Sequence, residues 1–206
     1  MSLLDDLRNQ ADSQRVSEED DARKVANREE YYKEKIQPRM IKTYQFFREL
    51  AEHLNYIKME IIVDYPLLPG GAPLSLRQED YKVVIDSSKA LKRIDFNMEA
   101  VLPEPVEFEI FGKDAVLNHS DRIKSFSFRH DYKDRKDGGQ YVQAAKFILK
   151  GPVPLKVTIE AIVDTSEIRL TVRNFVEPGL TKHIMQVEEF NDGFLDRIGK
   201  YVIRKE

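Results

Sequence analysis

Leu155-Lys156-Val157-Thr158-Ile159-Glu160-Ala161-Ile162-Val163, the link Asp164-Thr165-Ser166, and Glu167-Ile168-Arg169-Leu170-Thr171-Val172 decide the fold. Leu155, Val157, Ile159, Ala161 and Val163 recur every second residue, as do Ile168, Leu170 and Val172, and that period gives a strand one apolar face. So short a link joins antiparallel neighbours, because a parallel pair needs a crossover of about a dozen residues or more.

Moving outward toward the N-terminus, the alternation returns in Ile57/Met59/Ile61/Val63/Tyr65, Tyr81/Val83/Ile85, Ile94/Phe96/Met98, Val106/Phe108/Ile110 and Phe126/Phe128. It is less clean where Tyr141, Ala145, Phe147 and Leu149 share a face with Gln143. Pro103-Glu104-Pro105 and a charged tip from Asp131 to Gly139 are further short connections. These runs predict a curved, mostly antiparallel sheet of seven to eight strands.

Toward the C-terminus, Ile184, Val187, Phe190, Phe194, Ile198 and Tyr201 fall on one side of a helix over 182–203, with Thr181 as its N-cap. That helix is expected to cover the sheet. Gly193 and Gly199 inside it cost about 1 kcal/mol each relative to alanine, so close packing on the sheet is expected in compensation. The alternative is a helix broken near Asn191-Asp192-Gly193.

The first third reads differently, having no glycine before Pro66 and only one proline, Pro38. Ser17-Glu18-Glu19-Asp20 resembles a capping box, which starts a helix at Ser17. Glu19/Arg23, Asp20/Lys24 and Glu29/Lys33 stand four apart, acid first, the order that supports an exposed helix. From Ile36 the pattern becomes an apolar stripe of Met40, Phe47, Leu50 and Leu54 flanked by Tyr44 and Ala51, which suits either packing on the sheet or a short dimer seam. Pro38 predicts a kink or break at Gln37, and Asn55 a left-handed stop. The class is therefore α+β, with a charged helical arm over 1–37 and a single domain over 38–206.

Charge follows the same division. Residues 1–37 hold ten acids and seven bases, which leaves 26 of each for the remainder, so the net −3 belongs to the arm. A balanced body argues against sequence-independent nucleic-acid binding, which requires a basic stripe. The absence of cysteine excludes disulfides, thiolate metal sites and cysteine nucleophiles. An acidic N-terminus and the lack of a long apolar run make the cytoplasm the expected compartment.

No motif names a reaction, a cofactor or a metal. Of the four histidines, His119 lies near Asp121 and Arg122, and Arg129-His130-Asp131 follows within reach of it. His119, Arg129, His130 and Asp131 are thus the candidate catalytic residues, set against the reading of His130 as the end of an apolar row. Gly70-Gly71 lacks the lysine and hydroxyl of a phosphate loop. The leucine-rich loop Pro66 to Leu76 reads equally as a contact surface or as a lid on the core.

The expected function is a non-enzymatic interaction or scaffold protein whose N-terminal helix binds a protein partner or a second copy. The alternative is a small-molecule or lipid-binding domain with an apolar cavity between sheet and C-terminal helix, filled by a small apolar ligand. An enzyme comes third.

Overall fold

The computed structural model describes residues 3–128, 130–136, 142–176 and 179–205, with backbone alone at 3–9, 11, 132–136, 142 and 143. Helix α1 (Leu3–Tyr31) runs through a π-helical turn, Tyr32–Ile36, into α2 (Gln37–Ile57). Strands β1 (Ile62–Tyr65), β2 (Leu74–Ile85) and β3 (Arg93–Val101) follow. Next come β4 (Val106–Phe111), α3 (Lys113–Ser125), β5 (His130–Lys136) and β6 (Val142–Leu149). The chain ends in β7 (Pro152–Ile162), β8 (Glu167–Arg173), β9 (Leu180–Met185) and α4 (Asp192–Val202).

The α+β class, the long N-terminal helix, the antiparallel pairing and a closing helix on the sheet are as the periodicity predicts. The strands are divided, however: β1-β2-β3-β7-β8-β9 form one sheet, and β4-β6-β5 a second, inserted between β3 and β7. Every recorded strand pair is antiparallel, and the quoted hairpin pairs Ile159 with Leu170 and Val157 with Val172. Pro152 and Pro154 sit at the end of β7 that β8 does not reach, since that ladder runs from Lys156 to Ile162. Their missing donors cost the sheet nothing there.

The inner face of the large sheet presents Val63, Tyr65, Leu76, Ile94, Phe96 and Met98, all buried, to α2 and α4. Helix α2 lays Met40, Phe47, Ala51 and Leu54 against it, with Phe47 stacked on Phe96 at 4.8 Å between centroids. Burying a side chain of this size contributes about 1.5–3 kcal/mol. The stripe is thus covered by the chain's own sheet.

Pro38 shifts the helical ladder without ending the helix. A straight α-helix would press the proline ring on the Glu34 carbonyl and deprive that carbonyl of its donor. Instead the Gln37 N–H reaches back five residues to the Tyr32 carbonyl, and the extra residue per turn absorbs the conflict. Burial begins at this turn, with Tyr32 and Ile36, and the Tyr32 hydroxyl donates to the Leu91 carbonyl at 2.7 Å.

Several expected boundaries move. Ser17 lies inside α1 rather than at its start, because the helix continues upstream to Leu3. The left-handed residue after α2 is Lys58 (φ 49°), three positions beyond Asn55. Asn55 serves a different purpose: its side chain donates to the Tyr81 carbonyl (2.8 Å) and accepts from the Tyr81 N–H (3.2 Å). Tyr81 sits at a bulge where the β2–β3 register shifts and Asp80 adopts φ 61°, so that Gln78 and Tyr81 both point inward.

The stretch expected to be one helix over 182–203 is a strand, β9, a short 3₁₀ turn and then α4. Asn191, not Thr181, is the cap, accepting from the Phe194 N–H at 3.2 Å. Gly199 packs against α2 rather than the sheet: a Cβ there would stand 2.9 Å from the Phe46 ring. Phe126 and Phe128 belong to the turn leaving α3, which bends at Ser127 (φ 60°), and both are buried. Leu67, Leu74 and Leu76 are buried too, which makes the leucine-rich loop part of the core. Of the charged tip expected as a connection, 131–136 belong to strand β5 and 137–139 lie outside the described residues.

Candidate functional site

The two histidines singled out by sequence converge on one aromatic ring. Helix α3 covers the small sheet with Val116 and Ile123, and from its same side His119 enters between Phe108 and Phe147, edge-on to both, at 5.1 and 5.5 Å. His130, the first residue of β5, stacks on Phe147 at 6.1 Å. Strand alternation turns Asp131 to the other face, where it pairs with Lys150. Arg129 lies outside the described residues.

Burial first, and the Arg122 guanidinium second, hold the His119 imidazole below its usual range, against an opposing hydrogen bond with the Leu67 backbone. The His119 Nε2 is buried without a hydrogen-bond partner. The His119 ring is thus pushed toward its neutral form among phenyl groups, and among the described residues no carboxylate hydrogen-bonds to it. Among the described residues no three histidine, aspartate or glutamate side chains gather where they could hold a metal ion.

Three of the surface hollows bear on function. The first, about 650 Å³, lies where α2 ends above the β2 bulge, between Asn55, Lys58, Arg77, Asp80 and Glu99. Its charges are largely spent on one another, Arg77 with Glu79 at 2.7 Å and Lys82 with Asp80 at 2.6 Å. A second, of about 400 Å³, runs between the foot of the arm (Val25, Arg28, Glu29) and the β7–β8 hairpin. Arg28 approaches Asp164 across it at 3.9 Å.

The third is an apolar groove of about 380 Å³ between the inner face of β8–β9 and α4, with Leu170, Val172, Phe175, Ile198 and Tyr201 along it and Thr181 and His183 on its outer lip. One end is closed by a network around buried Asn174. Its side chain accepts from the Gly179 N–H and donates to the Phe126 and Pro154 carbonyls, while the Tyr65 hydroxyl donates to its carbonyl at 2.6 Å. Arg204 donates to the Phe175 carbonyl and lies over that ring.

An apolar cavity between sheet and C-terminal helix is the alternative expected above, but sequence reasoning missed the part that β9 plays in it because it placed residues 182–203 in one helix. The available clue was Pro178-Gly179, a turn signal ahead of Leu180. Strand β9 has no one-sided apolar pattern, however, and Ile184 and Val187 fitted a helical stripe as well as a strand.

No protein-family model matches this chain, and no curated protein or solved structure matches it.

Proposed function

We propose that the protein is a non-enzymatic interaction module whose N-terminal helix engages a protein partner or a second copy. The observation that carries this reading is the exposure of α1: every residue from Asp12 to Glu30 faces solvent, and burial starts only at Tyr32. The described ion pairs of the arm are mostly local, Arg15 with Asp12 and Lys24 with Asp21, and only Arg28 reaches the body. A polar rod of this length gains little from its own fold, so a contact outside the chain is what gives it a use.

The test compares full-length protein with a version beginning at Tyr31, by light scattering and by partner capture. Removal of the arm is expected to lower the solution mass or abolish capture while the melting temperature holds. Unchanged mass and unchanged capture would remove the arm from the mechanism.

The groove beside α4 favours a second reading, a small apolar ligand between sheet and helix. Its volume falls at the lower end of ligand pockets, about 300–1,000 Å³. A panel of fatty acids and sterols should then raise the melting temperature; no shift with any of them would sink this alternative.

A further inference from the structure

The described strands leave four sheet edges, and they are not equally protected. Strand β1 is only four residues long. Strand β5 reads His-Asp-Tyr-Lys-Asp-Arg-Lys, and β4 carries Glu107 and Glu109 on its exposed side. Short length and charge are the usual means of blunting an edge. Strand β9 has six residues, no proline and a single formal charge, Lys182. It pairs with β8 on one side only, and its other edge meets no described strand.

The side chains around that edge are also unpartnered. Register with β8 places Leu180, Lys182 and Ile184 on the outer face of the sheet, opposite Arg173, Thr171 and Arg169. Thr181 and His183 lie on the inner face, opposite Val172 and Leu170, at the lip of the apolar groove. Leu180 is 62% and Ile184 51% exposed, and Val176, just before the strand, is 64% exposed. Lys182 has no hydrogen bond or ion pair among the described residues.

We propose that the free edge of β9 docks an extended segment of another polypeptide, one that carries apolar side chains on both faces and a carboxylate opposite Lys182. Main-chain hydrogen bonds along the edge supply affinity that is independent of sequence, and side-chain positions supply the choice. On the outer face, apolar residues flank the carboxylate and lie against Leu180 and Ile184. On the inner face, the added side chains close the open flank of the groove beside Thr181 and His183.

Lys182 also disfavours a second copy at this edge. Two copies joined into one continuous sheet by a twofold axis pair residues of like facing, so the axis falls on Lys182 or on His183. The register that sets Leu180 against the copy's Ile184 sets Lys182 against the copy's Lys182, and like charges directly opposite are destabilising. The register centred on His183 sets Lys182 against an isoleucine. The lysine that repels a copy attracts an acidic strand, which is how one residue provides both specificity and its exclusion. The inference does not depend on the arm, and truncation of α1 leaves it unchanged.

The probe is the blocked peptide acetyl-Ser-Val-Leu-Glu-Leu-Val-Ser-amide, compared with the same peptide carrying lysine for glutamate. Both are titrated into the full-length protein, with amide exchange followed along residues 180–185. The glutamate peptide is expected to slow exchange in β9 and to bind at least tenfold more tightly than the lysine peptide. Lys182→Glu should invert that order, and Lys182→Gln should level it; the site is exposed, and circular dichroism checks that each variant stays folded. Failure of either peptide to protect β9 would overturn the proposal, as would the same preference in wild type and K182E. A dimer through β9 without peptide, seen as doubled mass that K182E alters, would assign the edge to a second copy instead.

Discussion

Helices α1 and α2 are joined without a break in helical structure, yet opposite physics holds them. Helix α2 buries Met40, Thr43, Phe47, Ala51 and Leu54 on the sheet. Helix α1 buries none of the residues from Asp12 to Glu30 and relies on propensity and exposed pairs, which contribute about 0.2–1 kcal/mol each at best. Tertiary packing supplies most helical stability in proteins. The π turn at Tyr32–Ile36 marks where one regime gives way to the other, because there the first core residues anchor the rod.

The strongest attempt to break this contrast is Phe47→Ala, which removes the ring stacked on Phe96 and leaves a cavity under α2. A loss of about 3–5 kcal/mol is expected in urea unfolding. A loss below about 1 kcal/mol would mean that α2 is no more anchored than α1.

Alkali sharpens the comparison without mutation. Burial pushes the Tyr65 and Tyr81 phenols up to about 12. The unfolded chain ionises its tyrosines near pH 10, so below that pH both states are neutral and the contribution is fully present. Between pH 10 and about 12 only the unfolded state gains by losing protons, and stability falls by about 2–3 kcal/mol per phenol. Phenolate absorbance should show Tyr65 and Tyr81 among the late tyrosines, with Tyr32 and Tyr201 also displaced upward by burial, and the last to appear should coincide with unfolding of the body. Titration of all nine tyrosines near pH 10 would contradict the packing.

Smaller effects are expected at the helix contacts away from the sheet. Gly199→Ala sets about 1 kcal/mol of helix propensity against a clash with the half-buried Phe46 ring, which can swing aside. The net change in melting should lie within about 1 kcal/mol. Arg28→Ala, which deletes the arm's exposed contact with Asp164, should change stability by less than about 0.5 kcal/mol. A larger loss would show that the foot of the arm is part of the folded body.

The candidate site was legible to a different depth in each part. His119 and His130 were placed near one another from spacing alone, and they do share Phe147. What spacing could not show is that His119 sits not on a strand but on a helix, α3. Its stripe of Val116, Ser120 and Ile123 holds only two strongly apolar residues, too few to stand out against the strand pattern. Asp131 was grouped with them by adjacency, but adjacency in a strand means opposite faces. A cavity between sheet and C-terminal helix was expected, but its β9 wall was not legible, since that wall exists only because residues 180–185 pair with β8.

Sequence by itself determined which residues carry an apolar face and at what period, since side-chain polarity and backbone geometry are local properties. It therefore determined the antiparallel hairpins, the charged arm and the apolar stripe of α2, but not whether the sheet or a second copy covers that stripe. Tertiary structure alone decided the division of strands between two sheets, the π turn, and the choice of strand over helix at Leu180–Met185. That last choice turns on an edge. A segment with no single apolar face takes its conformation from the hydrogen-bonding partner that β8 offers it, and that partner is distant from any window of sequence read alone.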